Sequence, residues 1–120
     1  MNPDPFAIAS RKAFRASLAD ARAAVQRLAE AEPKNPNWFY VAAMLDAMAA
    51  QTAGSREPTL DERRGATLGA IVDRELEPAP NADLAALNEQ LKSLHLYFMV
   101  WPDDGVDPEL MPEEELIARL

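Results

Sequence analysis

Between Asn81 and Trp101 apolar residues recur at alternating steps of three and four: Leu84, Leu87, Leu91, Leu94, Phe98 and Trp101. That spacing places all six on one stripe of an α-helix. Leu96, Tyr97, Met99 and Val100 fill the opposite face near its end. The last two turns are therefore apolar nearly all round and predict a helix enclosed by others.

The rest of the chain supplies partners for it. Phe14, Leu18, Ala21, Val25 and Leu28 repeat the same spacing in a long first helix that should begin near Asp4 and Pro5 and end at Pro33. Arg11, Lys12, Arg15, Asp20, Arg22 and Arg27 lie between them and read as an exposed, mostly basic face. Asn35 before Pro36 has the chemistry of a helix start. Trp38, Phe39, Tyr40, Val41, Met44, Leu45 and Met48 follow with Asp46 as the one charge before Gly54, which predicts a mostly buried second helix closed by that glycine.

Thr59 with Glu62 forms a capping-box pattern and predicts a third helix over about Leu60–Leu76. Gly65 and Gly69 would each cost such a helix ~1 kcal/mol, and close approach of a neighbouring helix backbone is the expected compensation. Pro78 and Pro80 break the chain, and Asn81 caps the central helix. Beyond Trp101, Pro102–Gly105 reads as a turn, Asp107–Pro112 as irregular, and Pro112–Leu120 as a short helix that docks through Leu116, Ile117 and Leu120. The expected architecture is one all-α domain, a bundle of four main helices plus a short C-terminal one.

Charge adds an asymmetry. Residues 1–102 hold eleven bases and thirteen acids, a net of −2, whereas residues 103–120 hold seven acids and Arg119 alone, a net of −6. An acidic surface repels phosphate backbones and attracts basic partners, so nucleic acid is disfavoured as a ligand. The tail also has a simpler reading as a solvated, solubilising end. There is no cysteine, hence no disulfide, thiolate nucleophile or sulfur metal site. With no leader-like start and no run of ~20 apolar residues, a soluble cytoplasmic protein is expected.

Reactive constellations are scarce. His95, the single histidine, lacks a catalytic companion and reads as a satisfied, partly buried ring. Lys92 stands where a di-iron bundle would need a glutamate. Ser10, Ser17, Ser55 and Ser93 lie in no nucleophile elbow. Gly65 and Gly69 fall inside a helical pattern rather than in a phosphate loop. Asp73 and Glu77, one helical turn apart, are a carboxylate pair of a kind common on exposed helices. No catalytic residue, metal ligand or cofactor is assigned; the pattern offers binding surface.

The stretch Arg64 to Leu76, with Thr67, Leu68, Gly69, Ile71 and Glu75 as its most marked positions, followed by Asp83, Leu84 and Leu87, resembles a family of small bacterial immunity proteins that accompany type VI secretion toxins. The similarity covers about a quarter of the chain. It implies a non-enzymatic inhibitor, monomeric when free, that binds a cognate toxin in the cytoplasm of the producing cell. The partner class best known for that family degrades NAD and NADP. A helical adaptor or self-associating protein, built on the apolar second helix, is the rival reading.

For a toxin with a basic substrate cleft, two acidic groups are candidates for the contact. Glu75, Glu77 and Asp83 flank the break before the central helix, and Asp103 and Asp104 follow it. At 1.5 Å per residue the central helix spans ~30 Å, so the groups belong to opposite ends of the bundle. The first group, inside the family-like segment, is the preferred one.

Overall fold

Helix starts and stops follow the capping residues closely. The computed structural model describes residues 7–120; Asp4 and Pro5 lie outside them, but the first helix expected from there is absent over residues 7–10. Helix α1 runs Arg11–Ala31, and Ser10 accepts a hydrogen bond from the Ala13 amide. Helix α2, Pro36–Gln51, is capped by the Asn35 side chain. The predicted box at Thr59 and Glu62 is complete in both directions and starts α3, Leu60–Arg64. Helix α4, Leu68–Ile71, widens into a π turn over Val72–Leu76. Asn81 caps α5, Ala82–Val100, and α6 spans Glu113–Arg119 after a 3₁₀ turn at Pro108–Leu110. The protein is all-α, with no strand among the described residues.

The core takes the stripe read from α5, except that Leu84 at its start is half-buried, and adds Tyr97 from the opposite face. Leu87, Leu91, Leu94, Tyr97, Phe98 and Trp101 are buried against Phe14, Leu18 and Val25 of α1 and against Val41, Leu45 and Met48 of α2. Tyr97 stacks on Phe14 with ring centroids 5.3 Å apart, and Trp101 meets Phe14 edge-on at 5.5 Å. Offset and T-shaped pairs of this kind add to the area they bury. Trp101 ends α5 at φ 44°, a left-handed conformation unusual for a bulky residue. Its ring is buried, and the Arg11 guanidinium sits 4.0 Å from its centroid, so contacts hold the residue there.

Several expectations need correction. The third helix is not continuous: Gly65 caps α3 and the chain restarts at Leu68, so Gly65 incurs no helix-interior cost. Gly69 is closely approached by a side chain rather than a backbone, since a Cβ there would lie 2.7 Å from Cδ2 of His95. The second helix buries one stripe only, for Phe39 and Tyr40 are 69% and 55% exposed. Its cap is Thr52, while Gly54, at φ +62°, forms the following turn. The basic face of α1 is partly consumed inside the fold: Arg11 donates to the Tyr97 hydroxyl at 2.6 Å, Arg15 to the Gly54 carbonyl at 2.6 Å, and Arg22 pairs with Asp46 at 2.9 Å.

The Gly69 contact reverses an ordinary rule. Gly→Ala in a helix usually stabilises by raising helix propensity, but here the methyl would drive the His95 ring from its place. Gly69→Ala should cost ~1–3 kcal/mol through overpacking. A higher denaturation midpoint for this variant would contradict the contact.

The acidic tail is tied down rather than merely solvated. Asp104 accepts from the Arg11 amide at 2.9 Å, and Asp103 pairs with Arg119 at 3.2 Å. Arg63 donates to the carbonyls of Met99, Val100 and Arg119, and Arg64 to that of Leu120. Removal of Arg63 from water lowers its pKa, with Arg119 and then Arg64 as further causes. Helix α6 therefore docks mainly through arginine-to-carbonyl bonds; of its apolar residues, Ile117 and Leu120 stay exposed and Leu116 is half-buried.

Candidate partner-binding site

Carboxylates at the two ends of α5 differ in one respect that composition hides, namely whether the chain supplies partners for them. At the C-terminal end it does: Asp103 pairs with Arg119, and Asp104 accepts from the backbone amide of Arg11. At the N-terminal end the π turn carries Glu75 outward, the Glu77–Pro80 linker turns the chain, and the first turn of α5 presents Asp83. Glu75 and Asp83 are exposed and make no ion pair among the described residues.

Glu77 is different. It is half-buried and bonds Lys92 at 2.8 Å, and the same ammonium reaches Asp73 at 3.9 Å and Glu89 at 3.7 Å. The Lys92 hydrogen bond holds the Glu77 carboxyl below the usual carboxylate range, and the Glu77 contact raises the Lys92 pKa. The Asp73 and Glu77 pair read from the sequence is thus organised around one lysine.

This arrangement fixes the sign of a pH effect. A carboxyl depressed in the folded state contributes stability above its unfolded value of ~4.3 and loses it as pH falls through the folded value. Acid titration should therefore destabilise the wild type more than Lys92→Met below ~pH 4.5. Parallel stability curves for the two proteins between pH 5 and 3 would show that the bond carries no linkage.

His95 is not satisfied as expected. Its ring packs on Gly69, and Nδ1 is buried with no hydrogen-bond partner. Burial lowers its pKa, opposed by the Asp73 charge. No group of three or more His, Cys, Asp or Glu side chains among the described residues could hold a metal ion.

Three residues absent from the expected site complete it. Glu32 at the end of α1, Trp38 on α2 and Asn88 on α5 line one pocket with Glu75, Pro78 and Pro80. Asn88 carried a signal in the sequence, being a polar residue between Leu87 and Leu91 on the apolar side of α5. Glu32 and Trp38 carried none, because only the turn between α1 and α2 brings them beside residues 75–80. The candidate site therefore groups Glu32 and Glu75 at the pocket with Asp83 in the first turn of α5, none of them in an ion pair among the described residues; Glu77 is held by Lys92, and Asp103 and Asp104 follow the other end of α5.

No helix among the described residues is long and apolar enough to cross a membrane. No protein-family model, curated protein or solved structure matches the chain.

Proposed function

We propose that this chain is an immunity-type inhibitor that binds a basic protein partner through the Glu75–Asp83 end of the bundle. One observation carries this reading. Glu75 and Asp83 at that end are exposed and make no ion pair among the described residues, whereas Asp103 and Asp104 at the other end are used to hold the tail. Exposed unpaired charge gains little for the fold and steers an oppositely charged partner, raising its association rate.

The resemblance of the Arg64–Leu76 segment and of Asp83 to immunity proteins of type VI secretion toxins names the partner class. The cognate toxin then presents a basic substrate cleft, with an NAD(P)-degrading enzyme as the specific candidate. The inhibitor acts by occupying that cleft in the cytoplasm of the producing cell and performs no turnover itself. Free of toxin it is a monomer.

Co-purification with the product of the adjacent reading frame tests the proposal. A stable complex that weakens with added salt is expected. Failure of a folded adjacent product to bind at low salt would remove the reading.

A second reading has its own support. Phe39 and Tyr40 lie edge-on to each other, centroids 6.2 Å apart, and both are exposed on α2. Large aromatics placed side by side in solvent suit a protein contact, which favours the self-associating alternative. Sedimentation of the isolated chain as a dimer, lost in Phe39→Ser/Tyr40→Ser, would support it over the monomeric inhibitor.

A further inference from the structure

The pocket between the α1–α2 turn, the Glu77–Pro80 linker and α5 has a volume of about 170 Å³. Its lining carries acceptors on Asn88, Glu32 and Glu75, alongside the Asn35 amide and the Trp38 indole N–H as donors. Asn88 is only 1% exposed, and its Nδ2 donates to the Leu76 carbonyl at 3.0 Å. That bond fixes the amide orientation, because exchanging its oxygen and nitrogen would set two acceptors against each other. Oδ1 is left as a buried acceptor with no partner, an arrangement that folding alone disfavours.

The surroundings point the same way. Glu32 and Glu75 are exposed carboxylates at the pocket and form no ion pair among the described residues. Glu32 also caps α1, whose last turn contains no base, so the carbonyl end of that helix adds negative potential. Pro78 and Pro80 contribute no N–H donors. Trp38 supplies an indole wall, 4% exposed.

We propose that this pocket receives an arginine side chain of the partner protein. A guanidinium offers five N–H donors in a planar fork, enough to reach an amide oxygen and a carboxylate together, and it stacks on indole more readily than an ammonium does. Arginine thereby satisfies the Asn88 Oδ1, neutralises the Glu32 and Glu75 charges and fits the flat wall. The inference rests on the reading of this chain as a binder of a basic partner and names the chemistry of its contact.

The test uses the isotopically labelled full chain titrated with N-acetyl-arginine methylamide, followed at the Trp38 indole N–H and the Asn88 side-chain amide. Saturable movement of both signals is expected, with no response to the neutral citrulline analogue. Glu75→Gln, a change at an exposed position, should weaken binding about tenfold, as loss of one charge-assisted acceptor would. Asn88→Leu should abolish it while the other core signals stay in place.

Absence of saturation, an equal response to citrulline, or equal binding by Glu75→Gln would overturn the inference. A complex with the adjacent gene's product that forms equally well with wild type and Glu75→Gln/Asn88→Leu would overturn it too, leaving the inhibitor reading intact. Arginine binding by a chain that captures no basic protein would instead sink the inhibitor reading and keep the pocket.

Discussion

Phe98→Ala should lower the stability of this protein by ~3–5 kcal/mol and Leu91→Ala by ~2–5 kcal/mol. Both side chains are buried to within 1% of their surface and belong to the core cluster that also holds residues of α1 and α2. Truncation removes their transfer free energy and leaves a cavity that packed neighbours only partly fill. Since a domain of this size is stable by ~5–15 kcal/mol in total, either loss is a large fraction of the whole. Phe39→Ala provides the contrast. That ring is mostly in solvent, so its loss should change stability by no more than ~0.5 kcal/mol. Equal midpoints for Phe98→Ala and Phe39→Ala in denaturant would show that the wrong face of the bundle has been called core.

The second large effect is on binding. Changing Glu75 and Asp83 together to alanine should weaken the complex with a basic toxin by at least ~30-fold, chiefly where a carboxylate meets a desolvated base. Their exposure makes the double variant safe for folding. Adding Glu77→Ala should cost stability rather than further affinity, because Lys92 already occupies that carboxylate. Deleting residues 103–120 is a poor control. It strips the α1 cap supplied by Asp104 and the carbonyls bound by Arg63 and Arg64, so lost protection would report damage to the fold. Asp103→Asn is the cleaner comparison, and it should leave affinity unchanged; a larger loss from it than from the double variant would move the contact to the tail end.

Local signals account for what could be read from the sequence. The α5 stripe, the caps at Asn35 and Asn81 and the Thr59–Glu62 box each depend on residues within a turn or two, and each has the expected structure. The third helix misled because periodicity extends across Gly65 and Thr67 although the backbone does not. At Gly69, spacing gave no means of knowing that a histidine ring from α5 would fill the place of a side chain. The site was half visible. Glu75, Glu77 and Asp83 are near one another in the chain, but which of them has a counter-ion depends on Lys92, nearly three turns into α5. The pocket joins residues 32–38, 75–80 and 88, and no short-range pattern connects those segments.

The bond from the Arg11 amide to Asp104 spans 93 residues of chain. A helix start is ordinarily completed by its own neighbours, yet here one of its exposed amides waits for a carboxylate delivered after nearly all the other helices. Closing so long a loop comes late when local pairings form first. Solvent exchange at the Arg11 amide should therefore follow detachment of the tail, not fraying of the helix, making that single proton a gauge of whether the far end of the chain is seated.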